Sequence, residues 1–239
     1  ETLIRWDAPA SYGVARKRID AQDDATKSVY NRKREMPAAL GRLLPELEAL
    51  FGVPQSADDP PSVDLGEHVL RCVDEAARQQ APLAVRCALL LCQVGKADSP
   101  PEHLPFHYRH MERGLPRIQA IAARFGLPAE CVDLAVLALH ELERVHRATE
   151  MRAGSLVAML ERVDAFARPG RFNDLLAVCA CDYRAYPGRA SRSYPKAVLL
   201  QRAAQACAGL GEAEITSDAL REARALAVAD ALGSARWGD

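Results

Sequence analysis

Aromatic residues are scarce in this sequence and make up 5% of its 239 residues. Runs of β-branched residues are also few, and no stretch alternates apolar and polar residues as a half-buried strand does. Ala and Leu instead carry most of the 49% hydrophobic content, and both residues favour helix. The composition therefore argues against a sheet-based architecture and predicts an all-α fold.

The sequence also lacks an excess of either charge, a long apolar run and a signal peptide. With 31 Lys and Arg against 32 Asp and Glu, the net charge is -1, so any nucleic-acid-binding surface would have to be local. The longest apolar runs are too short to span a membrane, so we expect no membrane partner. The seven cysteines form no CxxC pair, which predicts buried, reduced thiols in a cytoplasmic protein.

Apolar periodicity and breaks divide the chain into an arm and two helical regions. Residues 1–35 are polar and mixed in charge, and they predict either a solvated arm or one amphipathic helix. A helical domain is predicted over residues 36–168 and a C-terminal helical body or tail over 169–239, with a loop at 54–63. Helices after that loop are predicted at about 65–80, 82–94, 110–125, 128–147, 153–166, 170–184, 194–209 and 216–232.

All six histidines lie between positions 68 and 146 of this helical chain. They fall on several predicted helices, and Asp164 lies on a later one. Imidazole and carboxylate groups that several helices bring to one bundle centre can hold a divalent metal and activate water against a phosphoester. The pattern indicates a metal-dependent phosphohydrolase site.

The order of these residues resembles that of the HD-domain metal phosphohydrolases. It resembles more closely the C-terminal, HD-bearing half of the bacterial multifunctional CCA-adding enzymes, which are tRNA nucleotidyltransferases. The matching stretches are LLPELEALFGVPQ (43–55), GEHVLRC with His68, VRCALLLCQVGKADSPPEHLPFHYRHMERG (85–114), FGLPAECVDLA (125–135), LVAMLERVDAFARPGRFNDLL (156–176) and CACDYRAYPGR (179–189). The resemblance implies an HD-domain-like helical bundle with additional C-terminal helices, and a role in tRNA 3′-end processing.

The resemblance also exposes a departure at the centre of the site. The family has His-Asp before Leu-Gly-Lys, whereas Cys92 and Gln93 precede Val-Gly-Lys here. A thiolate suits zinc better than the harder Mg²⁺, Mn²⁺ or Ni²⁺, and an amide in place of a bridging carboxylate removes one negative charge. The sequence therefore predicts a degraded phosphohydrolase site that does not hold a pair of metal ions.

Four ligands for a metal remain if one is retained, as the resemblance implies: His68, His110, His140 and Asp164. They would hold one divalent ion (Mg, Mn, Ni or Zn), and the alternative is that no metal binds tightly. Lys96 after Gly95 is either a phosphate contact or a cation that complements a helix C-terminus.

Basic residues interleaved with tyrosines form a second candidate site, in the region where the family's body and tail approach tRNA. A positive strip with aromatic rings is suited to an RNA backbone, and tRNA or another RNA is the implied partner. The alternative is a set of arginines that cap helices and form ion pairs. The predicted RNA-binding residues are Arg168, Arg171, Arg184, Arg189, Arg192 and Lys196.

The family's nucleotidyltransferase head has no counterpart in residues 1–60. The acidic pairs at 23–24 and 58–59 are adjacent, so on a strand their side chains would face opposite ways and could not share a metal. We therefore expect this chain not to add nucleotides by itself. Two alternatives stay open: it is the C-terminal part of a longer enzyme, with a nucleotidyltransferase head domain as partner in cis or in trans, or it is a relative that has no head. Whether the chain forms a homodimer stays open.

Three functions are consistent with these observations. The first is a structural or tRNA-contacting body whose hydrolase site is degraded. The second is a residual one-metal phosphohydrolase acting on 2′,3′-cyclic phosphates, nucleotides or RNA ends. The third is a pocket that binds a nucleotide or an anion without chemistry.

Overall fold

The computed structural model describes residues 38–55, 63–210 and 216–233, and the predicted arm at 1–35 lies outside these ranges. Within them the regular secondary structure is helical apart from one two-stranded sheet, which confirms the all-α prediction. The helices are α1 Ala38–Leu43, α2 Pro45–Glu48, α3 Leu65–Arg78, α4 Leu83–Leu91, α5 His110–Phe125, α6 Ala129–His146, α7 Ala153–Arg162, α8 Pro169–Ala185, α9 Pro195–Ala206 and α10 Ser217–Leu232. Short 3₁₀ turns occupy Val94–Lys96, Pro101–His103 and Ala148–Glu150.

The region predicted as a loop at 54–63 contains the sheet. Strand β1 (Pro54–Gln55) pairs antiparallel with β2 (Val63–Asp64), with Pro54 opposite Asp64. The prediction missed this pairing because two-residue strands carry no periodic signal. The sheet places Asp64 at the start of α3, where its carboxylate accepts a hydrogen bond from the N–H of Glu67 and caps the helix.

Helix ends follow local signals, with two exceptions. Gly126 ends α5 with φ 61°, a left-handed conformation that glycine adopts at little cost. Thr216 caps α10 through its Oγ1, which accepts a hydrogen bond from the N–H of Ala219 at 3.3 Å. The helix predicted to reach 166 ends at Arg162, and Asp164 just beyond it has φ 59°. The helix predicted to reach 94 ends at Leu91 and continues as a 3₁₀ turn.

The chain folds as two compact units. Among the described residues, the first unit comprises those up to His140 together with Cys181–Arg192. The second comprises Glu141–Ala180 and the described residues between 193 and 233. Helices α6 and α8 each contribute to both units. The boundary predicted at residue 168 stays a prediction.

The core of the first unit is formed around α3 and α4. Leu65, Val69, Cys72 and Ala76 recur every three to four residues along α3 and are all at most 2% exposed, which is the pattern of one buried helix face. Helix α5 packs against the 3₁₀ turn at Val94–Lys96. This packing holds the segment after α4 inside the unit.

The core of the second unit lies between α7, α9 and α10. Leu156, Leu160, Leu200 and Val228 are fully buried there. Glu141 is 2% exposed, and its carboxylate accepts hydrogen bonds from Arg144 at 2.8 Å and from Arg162 at 2.7 and 3.0 Å. These two guanidinium groups compensate a carboxylate that would otherwise be costly to bury.

All seven cysteines are buried and unbridged, as the sequence predicted. Cys179 and Cys181 contribute to the core at 0% and 2% exposure. In the part of the chain that the structure describes, no helix has both the length and the apolar character needed to cross a bilayer.

Candidate metal centre

Three potential metal ligands meet inside the first unit. His68 and Cys72 are four residues apart on α3, so they lie on one face of the helix, and Asp182 reaches them from the last turns of α8. One imidazole nitrogen, the Cys72 sulfur and one carboxylate oxygen lie within 4.8 Å of one another. We call these three residues the His-Cys-Asp cluster.

One oxygen of Asp182 is the centre of the cluster. Its Oδ1 lies 2.9 Å from His68 Nε2, 3.2 Å from the side-chain nitrogen of Gln93 and 3.9 Å from the Cys72 sulfur. The Cys72 sulfur is 3.4 Å from His68 Nε2. The side chains of His68 and Asp182 are 0% and 6% exposed, so these groups interact in a medium of low dielectric constant.

Two buried polar atoms beside the cluster have no hydrogen-bond partner: His68 Nδ1 and Gln93 Oε1. Leaving such an atom unsatisfied in a protein interior costs about 1 to 3 kcal/mol. Gln93 therefore uses its amide donor on Asp182 and leaves its acceptor without a partner. An aspartate at position 93 would have no donor to offer and would add a negative charge.

One ring contact and two hydrogen bonds link the cluster to Lys96. The rings of His68 and Tyr186 lie 4.3 Å apart, and the Tyr186 hydroxyl accepts a 3.4 Å hydrogen bond from Gln55 Nε2. Gln55 Oε1 in turn accepts from Lys96 Nζ at 3.3 Å. Lys96 is only 2% exposed, so its ammonium group is an internal cation of the first unit. Burial raises the pKa of Tyr186, with a further contribution from the Asp182 charge, so this phenol is neutral.

The thiols at this site are protonated at neutral pH. Burial raises the pKa of Cys72 well above its ordinary value, and the neighbouring Asp182 carboxylate raises it further. Burial raises the pKa of Cys92 to about 12, with Asp182 also raising it and Lys96 lowering it. Neither thiol is a ready nucleophile, because only the thiolate reacts.

The other ligands predicted from the sequence lie elsewhere. His110 is 8% exposed, and its Nδ1 donates to the carbonyl of His107 at 2.8 Å. The His140 side chain is exposed, and Asp164 lies in the second unit. Of the four predicted ligands, only His68 belongs to the His-Cys-Asp cluster, the one group of this kind found among the described residues.

Sequence reasoning missed Cys72 and Asp182, although each carries a signal. Cys72 follows His68 by one helical turn, a spacing that aligns two ligands on one face. Asp182 falls three residues after Cys179 and four before Tyr186, so it is an acid on the buried face of α8. An acid in such a position requires a partner.

The donor set does not fit a pair of hard metal ions. Two ions held close together need carboxylates that bridge them, and Asp182 is the one carboxylate in the His-Cys-Asp cluster. The Gln93 amide donates to that carboxylate. An imidazole, a thiol and a carboxylate instead fit a single ion of the zinc type.

The predicted RNA-binding residues are divided between the two units. Arg184, Arg189 and Arg192 belong to the first unit, and the remaining three belong to the second. Arg184 Nε donates to the Arg192 carbonyl at 3.1 Å, and Arg189 stacks 4.8 Å above the Tyr183 ring. Part of this set therefore supports local structure, and its role toward RNA stays a prediction.

In the second unit, Arg171 also supports local structure, since its Nη1 donates to the carbonyl of Val163 at 3.2 Å. Arg168 and Arg192 are exposed, and Lys196 is half-buried. These exposed cations are the members of the set that are best placed to meet a phosphate.

Comparison with known proteins identifies relatives named multifunctional CCA proteins. That of Aromatoleum aromaticum is 47% identical over 165 residues, covering 69% of this chain and 40% of the relative. The multifunctional CCA protein of Ralstonia nicotianae is 45% identical over 172 residues, covering 72% of this chain and 40% of the relative. That of Burkholderia pseudomallei is 41% identical over 207 residues, covering 82% of this chain and 50% of the relative. No protein-family model and no solved structure matches the chain.

The chain is therefore homologous to the multifunctional CCA proteins, which confirms the resemblance inferred from its sequence. It spans about half the length of these curated relatives or somewhat less, consistent with the C-terminal half that the motifs indicated.

Proposed function

We propose that this chain is the tRNA-contacting, HD-like body of a CCA-adding tRNA nucleotidyltransferase, and that its HD-like site does not hydrolyse phosphoesters. The homology supports the family context. Nucleotide addition would then belong to a head domain that acts with this body, in cis or in trans. The seven unbridged thiols support a reducing, cytoplasmic location.

The proposed loss of phosphoester hydrolysis is supported mainly by one hydrogen bond, in which the amide nitrogen of Gln93 donates to Asp182 Oδ1 at 3.2 Å. In a metal-dependent hydrolase, the carboxylates at such a position must be available to bind the cation. Here an uncharged donor engages the carboxylate, and the adjacent Cys92 is buried and protonated. Neither Cys92 nor Gln93 supplies the negative charge that the Asp of a metal-binding His-Asp pair carries.

Contact with RNA is supported by the exposed cations Arg168 and Arg192. Each phosphate that a cation neutralises releases a counterion, so binding weakens as the salt concentration rises. The net charge of the whole chain is -1, which means that such a contact would be local rather than a consequence of bulk charge.

We expect the purified chain to bind tRNA with an affinity that falls steeply with salt. Arg192→Ala should weaken binding at low salt and reduce the slope of log affinity against log salt by about 0.7 to 0.9, the loss of one phosphate contact. Fluorescence anisotropy with labelled tRNA at several salt concentrations measures both quantities.

Arg152→Ala is the matched control for this experiment, because Arg152 is an exposed arginine outside the predicted strip. It removes the same charge and should leave the slope unchanged. Equal effects of the two substitutions, or binding that does not depend on salt, would count against the proposed RNA contact.

The His-Cys-Asp cluster favours a second candidate function, a residual phosphohydrolase that uses one metal ion. This candidate requires metal-dependent turnover of a 2′,3′-cyclic phosphate, and His68→Ala should abolish that turnover. The amide contact at Asp182 makes it the weaker of the two candidates.

A further inference from the structure

We infer that an open cleft in the second unit binds an adenine base, which comes from a free nucleoside or from an unpaired nucleotide of an RNA. The cleft is formed by α9, α10 and the chain that leads from α7 into α8. This inference goes beyond the proposed function, because neither a phosphate contact at exposed arginines nor the loss of hydrolysis requires a binding site for a base.

The cleft has the size of a small-molecule site. Its volume is about 520 Å³, and such sites typically measure about 300 to 1,000 Å³. One wall is a face of α9 that carries Gln201, Ala204 and Gln205, which are neighbours at the i, i+3 and i+4 positions of the helix. A helix face packed into a core would carry large apolar residues there. The alanine and the two amides leave the space open instead.

Aromatic rings and a guanidinium group also line the cleft. The guanidinium carbon of Arg224 lies 4.3 Å from the centroid of the Phe166 ring. Phe172, from the first turn of α8, lines the cleft and is 3% exposed. Nucleobases stack on aromatic rings and on guanidinium planes. These walls therefore suit a flat heterocycle.

Two amide side chains at the cleft form a donor and acceptor pair. Gln201 Nε2 donates a hydrogen bond to Asn173 Oδ1 at 3.2 Å, and both side chains are exposed and line the cleft. The bond leaves the carbonyl oxygen of Gln201 as an acceptor and the amide nitrogen of Asn173 as a donor. Adenine presents the complementary pair, its N6 amino donor and its N7 acceptor, and Asn and Gln side chains commonly bind this edge.

The charge of the cleft favours adenine over guanine. Arg224 is the one charged residue among the described residues that line the cleft, and its Nη1 donates to Glu161 at 3.1 Å. Guanine is most often bound by two donors of one arginine, whereas this arginine is already held by Glu161 and stacked on Phe166. The amides therefore provide the hydrogen bonds to the base.

Isothermal titration calorimetry of the full chain with adenosine tests the inference, with purine riboside as the comparison. Purine riboside lacks only the 6-amino group, so it loses one hydrogen bond to the amide pair. We expect adenosine to bind at one site per chain and purine riboside to bind at least about fivefold more weakly. No binding of adenosine at millimolar concentration, or equal affinities for the two nucleosides, would overturn the inference.

Gln201→Leu tests the location of the site. Leucine removes the amide at similar volume, so the variant should bind adenosine at least about tenfold more weakly and should no longer distinguish it from purine riboside. Gln119→Leu is the matched control, because Gln119 is an exposed amide on α5 in the first unit, and it should leave the affinity unchanged. Equal effects of the two substitutions would contradict the assignment to this cleft.

Short single-stranded RNAs identify the source of the base. Oligoadenylate that binds more tightly than adenosine, and that adenosine displaces, would support an RNA nucleotide as the ligand. Binding of adenosine without binding of oligoadenylate would support a free nucleoside. Oligouridylate that competes with adenosine as well as oligoadenylate does would refute recognition of adenine. Gln201→Leu should leave the salt dependence of tRNA binding unchanged, so failure of the base site and failure of the proposed RNA contact are separate results.

Discussion

Replacing Gln93 with Asp is expected to lower the free energy of unfolding by about 3 kcal/mol in the presence of EDTA. The substitution removes the donor to Asp182 and places a second carboxylate against a buried one. Like charges at such a distance in a protein interior are strongly unfavourable. Chemical denaturation followed by far-ultraviolet circular dichroism measures the loss.

The double variant Cys92→His, Gln93→Asp regains a His-Asp pair that can bind a metal ion. Adding Mn²⁺ should therefore raise its free energy of unfolding and recover much of the loss caused by the Asp at position 93. The control is Gln79→Asp, since Gln79 also donates to a carboxylate, that of Glu75 at 2.7 Å, but is exposed at the end of α3. Gln79→Asp should lower the free energy of unfolding by less than about 1 kcal/mol. Equal costs at positions 93 and 79 would show that the buried amide contact is unimportant.

Gly95→Ala is expected to destabilise the first unit by about 3 to 4 kcal/mol. A Cβ at position 95 would clash with the carbonyl oxygen of His110 and lie 2.6 Å from the backbone nitrogen of Gly114. Both atoms belong to the backbone of α5, so the clash cannot be relieved by turning a side chain. Denaturation curves of the wild type and the variant measure the difference.

Gly170→Ala is the matched control for this second prediction. Position 170 is in α8, and a Cβ there would meet no atom within 4 Å. Alanine should therefore be neutral or stabilise by about 0.5 to 1 kcal/mol, because it restricts the unfolded chain. If Gly95→Ala lowered the free energy of unfolding by no more than Gly170→Ala changes it, the close packing of the Gly-Lys turn against α5 would be contradicted.

The glycine of the Gly-Lys motif thus has a packing role that the sequence did not reveal. The apolar run Leu89-Leu90-Leu91 predicted a helix that continues to residue 94, but α4 ends at Leu91. The following turn lies against α5 and buries Lys96. Periodicity within one segment cannot report this contact, because it depends on a helix that begins 15 residues later.

The other helices of 65–210 were predicted within a few residues. Their apolar positions recur at helical spacing, and Gly or Pro residues mark the breaks, as at Gly126 and Pro169. Both signals are local, and local signals are readable from one sequence.

The candidate site was only partly predictable. His68 and the altered pair Cys92-Gln93 were recognised from motif order, and the structure places His68 and Gln93 together around Asp182. The motif order predicts Asp164 as the acid, because it follows the histidines on a predicted helical segment. Which acid reaches the site depends on tertiary packing, and here it is Asp182 from α8.

The most direct test of the lost hydrolase function is an assay of 2′,3′-cyclic phosphate hydrolysis by the purified chain, with Mg²⁺, Mn²⁺, Ni²⁺ or Zn²⁺ added in turn. We predict the same rate for the wild type and His68→Ala with every ion. Metal-dependent turnover at least about 1000-fold above that of His68→Ala would contradict this prediction and establish a working hydrolytic centre.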